Sequence, residues 1–228
     1  MFEIANRLIY GTYPEIVCHP EHAQMLLMNL VNSYLYKDIL EYKGIKKPDI
    51  LRKLTIALSL QVGSEVSYNA LSNMLGVDKE TIENYISLLE KCFVVFRLDS
   101  YSRNIRNELK KSKKIYFYDN GVRNAVINNF SPIEMRNDVG LLWENLMIVE
   151  RIKRNAYSNS YVQSYFWRTQ RQQEIDLIEV VDGRLHAFEF KWKSEKKTRV
   201  PQPFINAYPD STYETITPDN FKDFIFVP

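Results

Sequence analysis

Glycine is scarce in this chain: seven among 228 residues, and each stands alone (Gly11, Gly44, Gly63, Gly76, Gly121, Gly140, Gly183). A nucleotide-phosphate cradle needs clustered glycines ahead of a helix, because only they let several backbone N–H groups converge on one anion. Neither GxGxxG nor GxxxxGK[ST] is present, so no ATP binding or turnover is expected from this chain. Cysteine is rarer still. Cys18 and Cys92 make neither a zinc cluster nor a disulfide framework, and a reducing cytoplasm is the expected location. Long apolar runs are also missing. The densest clusters, Met25 to Val31 and Cys92 to Phe96, fall far short of a membrane span, so no membrane partner is expected. The opening Met1-Phe2-Glu3-Ile4-Ala5-Asn6-Arg7 lacks the basic and apolar segments of a secretory signal. The net charge of +2 announces no nucleic-acid binder by itself.

What remains is ordinary globular material, 45% apolar, 13% aromatic and 25% charged, with a mean hydropathy of −0.33. From Ala23 to Tyr42 apolar residues recur at helical spacing and Gly44 stops the run. A second helix is predicted from Pro48 to Gln61, with Leu51, Leu54, Leu58 and Leu60 towards its buried side. Pro14 and Pro20 mark the preceding stretch as loop. The most legible pattern runs from Glu65 to Leu98. Ser67 caps a helix Tyr68 to Leu75, with Leu71, Met74 and Leu75 facing inward. Gly76 turns the chain, Asp78 caps a helix Lys79 to Lys91, and a strand Phe93 to Leu98 follows. Helix, short turn, helix and strand is the layout of a winged helix-turn-helix, with Arg103 to Lys114 as the wing and Lys114 to Tyr118 as its returning strand.

Beyond Gly121 the pattern changes. An amphipathic helix, Gly140 to Arg154, precedes strand-like runs Tyr161 to Arg168, Glu174 to Val181 and Leu185 to Trp192; Asp182-Gly183 signals a two-residue hairpin between the last two. A further strand, Thr212 to Ile216, leads to a short helix near Thr217-Pro218-Asp219. Within Glu189-Phe190-Lys191, strand alternation puts Glu189 and Lys191 on one face. The partner strand opens with Glu174-Ile175-Asp176, and the helix before the sheet supplies Glu144. Carboxylates and a lysine converging at a sheet edge form a hard-oxygen site suited to Mg²⁺. Such an ion polarises a phosphodiester and lowers the pKa of bound water, while a lysine steadies the anionic charge. The same residues also read as a surface hairpin of alternating charge.

This order of helix Glu, strand Asp and Glu-x-Lys resembles the PD-(D/E)XK nuclease superfamily with its αβββαβ core. The resemblance implies Asp176 and Glu189 as metal ligands, Lys191 as catalytic lysine and Glu144 as the helix acid. Over essentially its full length the chain is also similar to the C-terminal region of a prokaryotic family of AAA+ superfamily ATPases. There, an uncharacterised winged-helix and nuclease-like module follows the ATPase core. The stretches that carry this are Tyr10 to Val17, Ser33 to Ile39, Lys114 to Gly121, Trp143-Glu144-Asn145-Leu146, Tyr165 to Thr169, Glu174-Ile175-Asp176 and Glu189-Phe190-Lys191. The P-loop domain that precedes this region in the family is absent from the chain, and it would be a partner of the module. The expected architecture is α+β: a helical lead-in over 1–62, a winged helix-turn-helix over 63–125, and a restriction-endonuclease-like domain over 126–228.

Two basic stretches are candidate nucleic-acid contacts of a weak, sequence-tolerant kind. The first is the wing, with Arg103, Arg106, Lys110 and Lys111; the second follows the candidate active strand, with Lys193, Lys196 and Lys197. The wing reads first as a solvated loop and phosphate contact is its minority reading, whereas the second stretch reads equally as a charged loop before Pro201 and Pro203. The helix Lys79 to Lys91 carries Glu80, Glu83 and Glu90, which oppose phosphate and suit a protein-contact role. Cys18-His19 and His22 have metal-ligand spacing but no second ligand pair. Three functions therefore stand at this point: a DNA-directed module with a Mg²⁺-dependent phosphodiesterase site, a non-catalytic interaction or regulatory module, and a winged-helix transcription regulator.

Overall fold

The computed structural model describes residues 2–39, 45, 47–102, 113–193 and 199–226. Among the described residues there are ten α-helices and six strands. The strands are hydrogen-bonded in the order β2-β1-β3-β4-β5-β6, a mixed sheet. The chain divides into two compact units, residues 1–97 with 114–142, and residues 98–113 with 143–228.

The first unit is mainly helical: α1 (Phe2–Tyr10), α2 (Pro14–Cys18), α3 (Ala23–Leu30), α4 (Pro48–Leu60), α5 (Tyr68–Leu75), α6 (Lys79–Lys91) and α7 (Asn120–Val126). Two differences from expectation concern proline. Pro14 opens α2 and Pro20 opens a 3-10 turn, because proline's fixed φ and missing N–H suit the first helical turn. The long helix expected from Ala23 instead passes from α3 into a wider π-helix, Val31–Asp38, keeping Val31, Leu35 and Ile39 buried. Leu60 and Met74 point outward, 62% and 58% exposed, while Leu51, Leu54, Leu58 and Leu71 form the core. Ser67 and Asp78 cap α5 and α6 as expected, accepting from the Ala70 and Thr81 N–H groups at 3.3 and 2.7 Å.

Strand β1 (Val95–Ser100) starts two residues later than expected. Phe93 occupies the left-handed position after α6 (φ 55°), with the Val94 N–H donating to Leu89 O and the Phe93 N–H to Glu90 O, each at 2.9 Å. The short β2 is Lys113–Phe117, one residue earlier at each end than the strand expected there. Two sequence stretches then interlock. The Asp119 carboxylate caps α7 by accepting from the Val122 N–H at 3.0 Å and also takes the Thr12 N–H at 2.7 Å. Asn124 Nδ2 donates to Leu8 O and Ile9 O at 3.0 and 2.8 Å, closing the end of α1. Gly11 and Gly121 are small because any Cβ would fall 2.0 Å from Asp119 Oδ1 or 2.2 Å from Tyr10 O.

The second unit takes the element order α8 (Val139–Tyr157), β3 (Gln163–Arg168), β4 (Glu174–Val181), β5 (Arg184–Phe190), α9 (Gln202–Ala207) and β6 (Thr212–Ile216), ending with α10 (Phe221–Ile225). Its α8 residues bury Trp143, Leu146, Met147, Ile148 and Val149, each worth about 1.5–3 kcal/mol over exposure. β3, β4 and β5 are antiparallel neighbours, whereas β6 joins β5 in parallel. Asp182 and Gly183, both at positive φ, make the tight β4–β5 turn. Opposite Arg184 stands Val181, and the pairing runs in register to Leu177 with Phe188. The apolar core on the sheet gathers Trp167, Ile175, Ile178, Leu185, Ala187 and Phe204.

Candidate functional site

The hairpin brings the start of β4 and the end of β5 to one end of the second unit. If the ladder continued past Leu177, Asp176 would face Glu189 and Glu174 would face Lys191. Instead β4 bulges. Its pairing with β3 shifts between Tyr165–Ile178 and Trp167–Ile175, which sets Asp176 and Leu177 together against Phe166. At this bulge the buried Asp176 carboxylate accepts the Phe190 N–H at 2.8 Å, replacing a ladder carbonyl. Bulges of this kind re-aim a side chain, and here the side chain is the expected acid.

Glu189 and Lys191 form an ion pair, Nζ to Oε1, at 2.5 Å. Lys191 leaves the strand by donating its own N–H to Ile216 O at 3.0 Å. The α8 start is held at the same end: Trp143 Nε1 donates to Ile216 O at 3.4 Å, and its ring meets Trp192 and Phe221 edge-on at 5.6 and 5.8 Å. Glu144, the next residue, is therefore close enough for its charge to act on both Glu189 and Lys191.

The electrostatics of the cluster are those of excess negative charge. Burial pushes the Glu189 carboxyl above the usual glutamate value against the pull of Lys191, and the charges of Glu144 and Glu174 push it further the same way. Burial works to lower the Lys191 pKa, but the hydrogen bond and charge of Glu189, then Asp176 and Glu144, outweigh it and hold the ammonium above the ordinary lysine value. Burial dominates the first shift and the Glu189 partnership the second, so the two groups behave as a partly buried ion pair with further carboxylates nearby. Among the described residues no three His, Cys, Asp or Glu side chains form a group able to hold a metal ion. Mg²⁺ commonly binds through one or two carboxylates, with water and substrate phosphate completing its shell. Asp176 and Glu189 are the oxygen-donor side chains placed at this end next to Lys191.

Glu189 and Lys191 pair directly and Asp176 bonds the Phe190 N–H between them, at the ends of the interior strands β4 and β5 rather than at a lateral sheet edge, because β6 extends the sheet beyond β5; Glu144 acts on the pair through its charge. Lys193 is exposed just past the cluster, while Lys196 and Lys197, like Arg103, Arg106, Lys110 and Lys111 of the expected wing, lie outside the described residues. The trio Cys18, His19 and His22 is exposed, with each histidine nearest Glu21, at 3.7 and 3.8 Å. Two features escaped sequence reasoning. Glu174 pairs across the strands with Arg168 at 3.4 Å, a partnership readable by counting along β3 and β4 only if the bulge is known. Glu179, 1% exposed, receives Arg151 Nε and Nη2 at 3.0 and 2.7 Å and Asn155 Nδ2 at 2.6 Å. Arg151 also lies over the Phe224 ring at 4.6 Å and donates to Phe224 O at 2.6 Å, tying α10 down. The spacing Arg151-x-x-x-Asn155 on one helix face was the available signal.

A mixed α+β protein of two units, with a carboxylate–lysine cluster in the second, is the class that fold and site define. Residues 1–132 match a domain of unknown function, DUF8612, and the chain belongs to that family. Residues 139–221 match a second domain of unknown function, DUF4143. Similar proteins include an uncharacterised protein of Haemophilus influenzae, 28% identical over 64% of this chain and 36% of its own length. Another, from Mycobacterium tuberculosis, is 27% identical over 71% of this chain and 36% of its own length. A third, from Methanocaldococcus jannaschii, is 27% identical over 59% and 29%. The match spans about a third of the length of these relatives. No solved structure matches the chain.

Proposed function

We propose that the second unit is a nucleic-acid-directed module whose Glu144, Asp176, Glu189 and Lys191 form a Mg²⁺-assisted phosphodiesterase site. We propose further that it works beside a P-loop domain of the AAA+ superfamily. The observation that carries this reading is the 2.5 Å Lys191–Glu189 pair set beside the bulge-borne Asp176. The element order αβββαβ of this unit, and the expected winged helix over 63–125, supply the context. Bound Mg²⁺ would provide a polarised phosphate and an acidified water. The chain's own residues would divide the remaining work. Asp176 and Glu189 would hold the ion, Lys191 would face the anionic phosphate, and Glu144 would keep the site negative before substrate arrives.

A second reading, a non-catalytic interaction module, draws support from the absence of a three-ligand group among the described residues. The two separate on one experiment. Labelled duplex and single-stranded DNA are incubated with purified protein in Mg²⁺ or Mn²⁺, comparing wild type with Lys191→Met and Asp176→Asn. Cleavage by wild type that falls at least about a hundredfold in both variants supports the site, the scale of a lost charge-stabilising group. Cleavage that survives both substitutions, or none with either cation, favours the interaction module.

A further inference from the structure

The loop joining β3 to β4, residues 169–173, stands at the same end of the second unit as the carboxylate–lysine cluster. Its backbone is pinned at three points: Thr169 N–H to Gln173 O at 2.9 Å, Gln172 N–H to Thr169 O at 3.0 Å, and Gln173 N–H to Thr169 Oγ1 at 3.2 Å. Gln172 takes the left-handed position (φ 64°) that glycine fills at least cost. Its side chain accounts for the choice, since Gln172 Oε1 accepts from Arg168 Nη2 while Arg168 faces Glu174. Arg168 is thereby committed to the strand. Gln170, Arg171 and Gln173 are exposed on a fixed backbone, and the loop carries no acid. Lys193, also exposed, follows the cluster on the β5 side. An acidic centre flanked by cations and amide donors complements a phosphate chain whose scissile group meets a cation at the centre.

We infer that a nucleic-acid backbone crosses this end of the second unit, with the 169–173 loop as its positioning lip and Arg171 contacting a phosphate. This deepens the nucleic-acid reading above and rests on it. The contact is to phosphate and sugar oxygens, so it places the strand without reading sequence. The same sheet offers an internal control. Arg184 is an equally exposed arginine at the β4–β5 turn, and that turn closes the opposite end of the hairpin. The inference therefore makes a one-sided claim about two residues of identical charge.

The test is fluorescence anisotropy of one labelled DNA duplex and one labelled single strand across a salt series, in EDTA to suppress cleavage. It compares wild type, Arg171→Ala, Arg171→Glu and Arg184→Ala. Each phosphate contact contributes roughly 0.7–0.9 to the slope of log affinity against log salt. Arg171→Ala should flatten the slope by about that amount and weaken binding several-fold at low salt. Arg171→Glu should weaken it further, and Arg184→Ala should match wild type. Equal losses from Arg171→Ala and Arg184→Ala would mean diffuse charge attraction and would overturn the docking, as would no loss from Arg171→Glu. In both cases the nucleic-acid reading would survive. No binding by wild type to either probe at low salt would overturn both.

Discussion

Gly11→Ala tests the interlock of the first unit, and its cost follows from the coordinates. The new Cβ would lie 2.0 and 2.3 Å from the two Asp119 carboxylate oxygens, at a φ of +75°. The positive φ alone costs an alanine about 1 kcal/mol. The carboxylate must also leave, releasing the Val122 N–H cap and the Thr12 N–H, at about 1 kcal/mol each. The sum is about 3 kcal/mol, a fall in the first unit's melting temperature of roughly 6–12 °C by circular dichroism. A double-mutant cycle isolates the mechanism. In an Asp119→Ala background the clash is gone, so Gly11→Ala should cost only the backbone term of about 1 kcal/mol. Strict additivity of the two substitutions, or a single-variant cost below about 1 kcal/mol, would refute the reasoning.

Three further outcomes follow from the same structure. Glu179→Ala leaves the half-buried Arg151 without its carboxylate, so it should cost about 3–5 kcal/mol in denaturant unfolding, while Arg151→Met with Glu179→Leu should recover most of that. Burial raises the Asp138 pKa, but hydrogen bonds from Arg136 and Arg123 outweigh it and hold the carboxyl below 3.8. A depressed carboxyl contributes stability above its unfolded pKa and loses it as pH falls through the folded value. Asp138→Asn should therefore be destabilised by about 2–4 kcal/mol at neutral pH, with the gap to wild type closing below pH 3.8, as chemical unfolding at several pH values will show. Phe93→Gly should be neutral or stabilising by up to about 1 kcal/mol, because Phe93 holds a left-handed backbone with 69% of the residue exposed; a clear loss would assign the ring's edge contact with Tyr118 a larger share.

Elements with a local signal were legible in the sequence. Ser67, Asp78 and the Asp182-Gly183 turn act through neighbours three residues away or fewer, and each stands where expected. Strands Glu174–Val181 and Thr212–Ile216 have the expected bounds, the first as a run closed by the Asp182-Gly183 turn and the second through its alternation. What escaped depends on contacts remote in sequence. The outward turn of Met74 and Leu60 reflects which helix neighbours exist, something periodicity does not encode. The stretches Tyr10-Gly11-Thr12 and Asp119-Asn120-Gly121 were visible as motifs, yet their shared role needed a fold that joins residues 107 apart. In the site, strand alternation foresaw the Glu189–Lys191 pairing. The Asp176 bulge, which ends the ladder and turns a side chain into a backbone acceptor, depends on the third strand and left no local trace.

The proposed phosphodiesterase site requires Asp176 and Glu189 to share one divalent cation. Isothermal titration of Mg²⁺ and Mn²⁺ into the purified chain tests it most directly, comparing wild type, Asp176→Asn and Glu189→Gln. Saturable binding is expected for wild type, weakened at least about tenfold in each variant, the effect of one lost hard-oxygen ligand at a shared site. Saturable binding that both variants retain would contradict it, as would no binding by wild type with a phosphodiester present to complete the shell.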